Sequence, residues 1–328
     1  MRICVFGAGA IGGNFAARLA EAGNEVSVVV RGAHLDAIRE KGLTLIAGDR
    51  KIVARVKASD NPADLGPQDA VISTLKATGL PALAESVGPL LGPDTPVVFA
   101  QNGIPWWYGH GLHKSRPPAP DLSRLDPGGA LEKAVGLHRT LGGAITSPNH
   151  VVEPGVIVNE QPDRNTLWVG EIDDRPSQRV GALRAALKAA GIGSPETTDI
   201  RYDIWHKLMA NLTGSAVCLV LGQPSTVQKT PVVNQMCRRA HAEALAVAKA
   251  HGIVLDDSPD VRYGPKRVYF NHRPSILQDY DLGRPMEIEA IVRAPVAFAR
   301  SVGVDTPTLD AIEAFAVTLA ANKGLYAL

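Results

Sequence analysis

Lys207 and Asn211 are the residues whose types and spacing most directly suggest chemistry in this chain of 328 residues. In the stretch DIWHKLMANLTGS they belong to a series with Asp203 and Ser215, one polar residue in every four, which lies along one side of a helix. A lysine ammonium can stabilise a developing oxyanion and donate a proton, while a short amide can hold a polar substrate. Asp203 and Lys207 alone would also suit an exposed ion pair, so the series is either a solvated helix face or one wall of a cleft.

Glu287 is a carboxylate on an apolar helix face. In the stretch PMEIEAIVRAP its neighbours three, four and seven residues on are apolar: Ala290, Ile291 and Ala294. This pattern directs Glu287 toward protein or a cleft, where a charge without a partner would be costly and Lys207 would be a suitable partner. The alternative is an acid in the first helical turn, favoured there by the helix dipole.

The residues around Glu287 carry local signals. Pro285 suits the first position of a helix, and Glu289 with Arg293, four residues apart, predicts an exposed ion pair. Upstream, Ser275 with Gln278 matches a capping box, although a serine at this place could equally contact a ligand. Both interpretations of Ser275 stay open.

A glycine-rich loop follows the first predicted strand. RICVF (2–6) is an apolar strand, GAGAIG has the GxGxxG spacing, and a helix of small residues over 11–22 ends before Gly23. Such a loop lets backbone N–H groups approach a dinucleotide pyrophosphate at a helix N-terminus. The predicted cofactor-binding residues of the loop are Gly7, Ala8, Gly9, Ala10, Ile11 and Gly12.

Arg31 indicates which dinucleotide binds. It ends the second predicted strand (24–30), and no acid lies between Val26 and Leu35 to bind a ribose 2′-hydroxyl. A guanidinium can pair with a 2′-phosphate, and Lys76 at the end of a later strand is a second cation on the same sheet edge. The sequence therefore predicts NADP(H), although either residue alone could be a solvated surface cation.

Strands alternate with helices in the first part of the chain, which predicts an α/β fold with a doubly wound parallel sheet and helices on both faces. Asn102 ends the predicted strand 95–103, where ligands of such sheets lie, although Asn-Gly is also a common turn. The Pro-rich stretch 110–130 is predicted as a surface excursion of the first domain. Beyond residue 197 all predicted elements are helices, namely 199–221, 231–251, 275–282, 285–302 and 306–322. We place the domains at 1–197 and 198–328.

Composition narrows the class of protein. Hydrophobic residues make up 45% and the net charge is +1, which gives no indication of a nucleic-acid or membrane partner. Three separated cysteines without a CxxC pair predict neither a disulfide framework nor a metal site, and favour a cytoplasmic setting. No signal peptide and no run of about eighteen apolar residues is recognisable.

Together these motifs resemble the 2-dehydropantoate 2-reductase (ketopantoate reductase) family over nearly the whole length. The resemblance rests on the order of GAGAIGG, STLKA, QNG, EPGVI, DIWHKLMAN and PSILQDYDLGRPMEIEAI. It implies an N-terminal Rossmann-type domain, a C-terminal all-helical domain and a substrate in the cleft between them. The implied activity is NADPH-dependent reduction of a 2-oxo acid, 2-dehydropantoate, in the pantothenate pathway.

The resemblance also implies roles for individual residues. Lys207 matches the catalytic lysine and general acid, and Glu287 matches the glutamate that would orient Lys207 or the substrate. Arg31 and Lys76 match the residues that hold the 2′-phosphate. The substrate-contacting positions are matched by Asn102, Asn211 and Ser275, and Asn102 is also a cofactor contact.

Two departures leave the substrate open. Ser215 stands where many members of the family carry asparagine, and the aromatic PWWY stretch (105–108) is not general. A reductase of a bulkier 2-oxo acid is therefore an alternative, and a non-catalytic nucleotide sensor is a second one. Amphipathic helices in the second domain would allow a homodimer.

Overall fold

The computed structural model describes residues 1–327 of the chain. Contacts divide the chain into two compact units. The first comprises residues 1–101 and 126–200, and the second comprises residues 102–125 together with the C-terminal part from Arg201. Residues 102–125 were predicted to belong to the first domain, but they pack with the second unit. That the two functional domains extend over residues 1–197 and 198–328 remains a prediction.

The first unit contains two β-sheets among the described residues. The strands run over β1 (Arg2–Phe6), β2 (Glu25–Val29), β3 (Leu43–Ala47), β4 (Arg50–Ala54), β5 (Lys57–Ser59), β6 (Ala70–Ser73), β7 (Val97–Ala100), β8 (Thr140–Thr146), β9 (Asn149–Glu153), β10 (Val156–Asn159) and β11 (Thr166–Glu171). The larger sheet has the order β11-β8-β7-β6-β1-β2-β5 and is parallel except for its antiparallel edge strand β11. The predicted α/β fold with a parallel sheet is thereby confirmed.

The larger sheet reverses its strand order at β1. The chain proceeds from β1 to β2 on one side, and later returns to place β6 on the other side. Phe6 pairs with Val29 of β2 and with Ser73 of β6, so the three strands end at one edge. Such a reversal opens a crevice at the carboxyl ends of the strands, which is where ligands of these sheets bind.

The smaller sheet covers the first helix. Its order is β4-β3-β10-β9, and β3 and β4 over residues 43–54 were not predicted. The helices of the first unit are α1 (Ala10–Glu21), α2 (Ala33–Lys41), α3 (Leu80–Ser86), α4 (Ala130–Val135) and α5 (Gln178–Ala189). Helix α1 packs on β1 and β2 on one side and on the smaller sheet on the other. A Cβ atom on its Gly13 would lie 2.0 Å from Cδ1 of Ile157, so a larger residue there would displace that side chain.

The described chain beyond residue 200 is helical and contains no strand. Its α-helices are α6 (Ile200–Ala210), α7 (Ala216–Leu221), α8 (Pro231–Ala250), α9 (Pro259–Arg262), α10 (Ser275–Asp281), α11 (Ala294–Ser301) and α12 (Pro307–Asn322). Two π-helical turns, Asn211–Ser215 and Glu289–Arg293, join α6 to α7 and precede α11. The predicted all-helical C-terminal part is confirmed.

The continuous helical run Ile200–Leu221 is long and apolar enough to pass a composition test for a membrane span. However, 61% of the 18-residue apolar stretch that passes this test is buried inside the protein. Trp205, Leu208, Met209 and Leu212 are all buried. Core helices have this composition, so the run gives no support for a membrane-spanning segment.

Candidate active site

The glycine loop has the geometry of a phosphate cradle. Gly7 has a φ of +96°, which favours glycine, and a Cβ atom at Gly12 would lie 2.4 Å from the carbonyl oxygen of Gly7. At Gly9, by contrast, nothing lies within 4 Å of a built Cβ atom. The loop thus leaves open space at Gly9 beside the N-terminus of α1, where backbone N–H groups lack helical partners. These residues fit a dinucleotide pyrophosphate.

The predicted cofactor cations lie on the loops that flank the glycine loop. The N–H groups of Gly7 and Ala8 donate to the carbonyl oxygen of Val29, two residues before Arg31. On the other side, the hydroxyl of Thr74 donates to the carbonyl oxygen of Gly7 at 2.7 Å, two residues before Lys76. Both cations are exposed, so each is accessible to a phosphate bound at this edge.

A π-helical turn occupies the second half of the polar series on the long helix. Lys207 lies in α6 and Asn211 begins the π-helical turn that follows it, and both are half-buried. The Thr213 hydroxyl donates to the carbonyl oxygen of Met209 at 2.6 Å, which draws one backbone acceptor away from a regular turn. Within this turn the hydroxyl of Ser215 donates to the carbonyl oxygen of Ala210. Ser215 is half-buried, as Lys207 and Asn211 are.

Asn102 and Asn211 meet in the second unit. The side-chain amide of Asn211 donates to the side-chain oxygen of Asn102 at 3.2 Å. Next to this pair, Gly103 has a φ of +81°, and a Cβ atom there would lie 2.4 Å from the carbonyl oxygen of Ala290. The N–H of Ile104 donates to that same oxygen at 2.8 Å. Two predicted site residues are thus joined directly, and the turn carrying Asn102 is bonded to the segment that follows Glu287.

Glu287 is buried, with 4% of its surface exposed, as its apolar neighbours predicted. The helix begins after it, at Ile288, which directly precedes the π-helical turn Glu289–Arg293, so the predicted start at Pro285 is wrong. The N–H of Met286 instead donates to the carbonyl oxygen of Leu325. This hydrogen bond holds the backbone just before the helix. Both Glu287 and Lys207 have interaction partners, as the cost of burying charge requires.

Glu289 and Arg293 form the ion pair that their spacing predicted, but the pair is half-buried and not exposed. Their side chains are 20% and 31% exposed, and they lie 3.5 Å apart. Glu289 also accepts a hydrogen bond from Arg124 at 3.0 Å and one from the hydroxyl of Tyr326, while Arg293 reaches Glu313. This network holds residues 102–125 and the C-terminal segment to the turn beside Glu287.

Ser275 does not cap its helix. It is the first residue of α10, Pro274 precedes it as the capping residue, and no side chain bonds the free N–H groups there. Gln278 donates instead to the carbonyl oxygen of Arg273 at 2.7 Å, so the predicted capping box is wrong. The exposed Ser275 hydroxyl remains available for a ligand, and α10 packs against the turn Asn211–Ser215.

Arg201 anchors the aromatic stretch, a role that the sequence did not reveal. Its fully buried guanidinium lies 5.2 Å from the ring centres of both Trp107 and Tyr108 and donates to the carbonyl oxygen of Tyr108. The indole N–H of Trp205 donates to the Tyr108 hydroxyl at 2.7 Å. Trp107 and Tyr108 thus pack into the second unit and fix the segment that begins with Asn102. A single arginine at the start of an apolar helix carried no signal of this contact.

Family comparisons match both ends of the chain. Residues 3–111 match the family described as ketopantoate reductase PanE/ApbA. Residues 199–317 match the family described as ketopantoate reductase PanE/ApbA C terminal. The two matches together span most of the chain, and they include every predicted site residue.

Individual relatives agree with these matches. A 2-dehydropantoate 2-reductase from Mesorhizobium japonicum is 38% identical, with 99% of this chain and all of the relative covered. The crystal structure of a candidate ketopantoate reductase from Ralstonia solanacearum MolK2 is 34% identical, with a TM-score of 0.87 and 99% of each chain covered. A D-mandelate dehydrogenase solved with NADH and anilino(oxo)acetate shares the fold at a TM-score of 0.80 and 22% identity, covering 99% of this chain and all of that one.

Proposed function

Because the chain belongs to the ketopantoate reductase family and is an oxidoreductase of that type acting on a small keto acid, we propose that it reduces 2-dehydropantoate to pantoate with NADPH. This is a step toward pantothenate, and we place the enzyme in the cytoplasm. The observation that carries the proposal is the cluster in the second unit, where Asn102 bonds Asn211 and the adjoining turn bonds the segment after the buried Glu287.

Several features support NADPH as the cofactor. The open space at Gly9 and the exposed cations Arg31 and Lys76 on the two neighbouring loops suit a dinucleotide with a 2′-phosphate. When bound, NADPH would supply the hydride. The glycine loop, from Gly7 to Gly12, would hold the pyrophosphate, and Arg31 with Lys76 would hold the 2′-phosphate.

The remaining site residues would act on the substrate. Lys207 would stabilise the negative charge that develops on the 2-oxo oxygen and donate the proton to it. The buried Glu287 would keep the ammonium charged and oriented. Asn102, Asn211 and the exposed Ser275 would hold the carboxylate and hydroxyl groups of the substrate.

An assay of NADPH oxidation with 2-dehydropantoate and a panel of other 2-oxo acids tests this function. We expect the highest kcat/KM for 2-dehydropantoate, and a lower value with NADH in place of NADPH. A preference for another 2-oxo acid would overturn the substrate assignment, and equal affinities for NADPH and NADH would overturn the cofactor assignment.

A reductase of a bulkier 2-oxo acid is the second candidate. Support for it comes from the D-mandelate dehydrogenase of the same fold, whose structure was solved with NADH and anilino(oxo)acetate. Against it, the aromatic residues Trp106, Trp107 and Tyr108 are buried, so their bulk fills the protein interior and gives no evidence of an enlarged substrate site. Phenylglyoxylate in the substrate panel separates the two candidates.

Oligomeric state is a further part of the proposal. The amphipathic helix α8 and its neighbours would allow a homodimer through the helical unit. Sedimentation velocity at micromolar concentration would distinguish a dimer from a monomer.

A further inference from the structure

His34 ties the glycine loop to the smaller sheet through both nitrogen atoms of its ring. Its Nε2 lies 2.8 Å from the carbonyl oxygen of Ala8, in the middle of the GxGxxG sequence. Its Nδ1 accepts a hydrogen bond of 2.8 Å from the N–H of Gly155, in the turn between β9 and β10. All three residues belong to the first unit.

These two partners determine the protonation of the ring. A backbone N–H can only donate, so Nδ1 must accept, and Nε2 must carry the proton that it donates to Ala8. Burial lowers the pKa of His34, which favours this neutral form. The contact with the glycine loop is therefore directional: a single N–H points at a single carbonyl oxygen.

The Ala8–Gly9 peptide is the part of the loop that His34 holds. The N–H of Ala8 is bonded to Val29, and its carbonyl oxygen is bonded to His34. The N–H of Gly9 donates to the carbonyl oxygen of Gly7 at 2.7 Å, and because a peptide unit is planar, the bond from His34 to the carbonyl of Ala8 holds the same plane from its other side. Gly9 is the loop position with open space around it, where a pyrophosphate would approach.

His34 also connects this peptide to Arg31. It lies in the first turn of α2, three residues after Arg31, and Gly32 between them has a φ of +63°. The carbonyl oxygen of Gly32 accepts hydrogen bonds from the N–H groups of Leu35 and Asp36, so this sharp turn is held to the start of α2. The bond from His34 to Ala8 supplies a constraint between the glycine loop and the loop that carries Arg31.

We propose that His34 is a positioning residue for the dinucleotide, because it holds the Ala8–Gly9 peptide and the Arg31 loop in the arrangement that the cofactor needs. This inference rests on the proposed function, since it takes the glycine loop as a nicotinamide dinucleotide site. His34 itself need not touch the reacting atoms. Its loss should therefore weaken cofactor binding and leave the rate with saturating cofactor nearly unchanged.

Two conservative variants distinguish the two hydrogen bonds that the His34 ring forms. Gln places an amide N–H at about the position of Nε2 and can keep the donor to Ala8, whereas Asn places an oxygen near Nδ1 and can keep only the acceptor for Gly155. The variants His34→Ala, His34→Asn and His34→Gln are compared with wild type. Glu40→Gln, an exposed change on the same helix, serves as the control.

Titration of NADPH fluorescence, steady-state kinetics and thermal unfolding form the test. We expect His34→Ala and His34→Asn to raise the Kd for NADPH about tenfold, as the loss of one hydrogen bond allows, with kcat within about twofold of wild type. His34→Gln should restore most of the affinity. If His34→Ala does not fold, the comparison of the Gln and Asn variants still decides.

Three results would overturn the proposal. One is an unchanged Kd in His34→Ala, and another is recovery by Asn without recovery by Gln, which would place the effect on the Gly155 bond. A third is wild-type protein that binds neither NADPH nor NADH, which would overturn the proposed function as well. Wild-type binding with unaffected variants would overturn the role of His34 alone.

Discussion

The side-chain amide of Asn211 donates a hydrogen bond of 3.2 Å to the side-chain oxygen of Asn102, although 109 positions separate them in the chain. Asn211 begins a π-helical turn, and Asn102 precedes the glycine whose backbone packs on Ala290. One residue therefore comes from a helix and the other from the end of a strand, and each limits the rotation of the other. Such a pair can present two amides to one substrate.

Substitution of these asparagines should reveal that they act together. Asn102→Ala and Asn211→Ala are each expected to lower kcat/KM about tenfold, since each removes about 1.4 kcal/mol of hydrogen bonding. The double variant should lose less than the product of the two effects. A double-mutant cycle on kcat/KM measures this coupling, with the exposed Asn322→Ala as control. Strictly multiplicative losses would mean that the two residues act independently.

Lys207→Ala should abolish most of the turnover and spare cofactor binding. Loss of a general acid lowers rates by about 10²–10⁴. Lys207 is not among the residues proposed to hold the dinucleotide, so we expect the Kd for NADPH to stay near that of wild type. Single-turnover kinetics and fluorescence titration measure the two effects, and the exposed Lys229→Ala is the control. Near-normal turnover would contradict the role of Lys207.

Arg31→Met should remove the preference for NADPH over NADH. The guanidinium would form charge-assisted hydrogen bonds with the 2′-phosphate, worth about 1.5–3 kcal/mol, so the Kd for NADPH should rise about tenfold or more. The Kd for NADH should hardly change. Arg39→Met, an exposed arginine on α2 that bonds the carbonyl oxygen of Ala58, is the matched control. A parallel rise for both cofactors would exclude a 2′-phosphate contact.

Gly9→Ala and Gly12→Ala should separate ligand binding from folding. A Cβ atom at Gly12 would lie 2.4 Å from both the Gly7 oxygen and the Thr74 hydroxyl oxygen, so this change should destabilise the protein by about 1–3 kcal/mol. Gly9 has a φ of −72° and no atom near a built Cβ, so Gly9→Ala should fold normally and bind NADPH poorly. Thermal unfolding and fluorescence titration test both variants. Normal NADPH affinity in Gly9→Ala would contradict the assigned position of the pyrophosphate.

His241 should make the protein less stable in mild acid. Burial lowers its pKa from the ordinary 6.5 to about 4, against the opposing attraction of Asp257, 3.5 Å away. Between these pH values the unfolded chain binds a proton that the folded protein does not. The stability that neutral His241 contributes is therefore present above pH 6.5 and is lost as pH falls toward 4, by at most about 1.4 kcal/mol per pH unit. Urea unfolding across this range should show a shallower pH dependence for His241→Gln, and equal slopes would contradict the assignment.

The second sheet shows why part of the fold escaped prediction. Strands β3 and β4 have only five residues each, so their local pattern is weak, and β10, the partner of β3, lies more than 100 residues away. Strand β1, by contrast, is apolar throughout its buried residues and is followed at once by the glycine turn. Its limits, Arg2–Phe6, agree with the predicted strand because neighbouring residues alone specify them.

The sequence by itself determined the elements whose causes are local: the strand and glycine turn that open the chain, the apolar face that buries Glu287, and the helical C-terminal part. Only the tertiary structure revealed the π-helical turn Asn211–Ser215, in which the hydroxyl of Thr213 meets that of Tyr263, fifty residues away. The same holds for Arg201 beneath the aromatic stretch and for His34 on the glycine loop. Such contacts join residues from distant parts of the chain, so no local pattern of residue types predicts them.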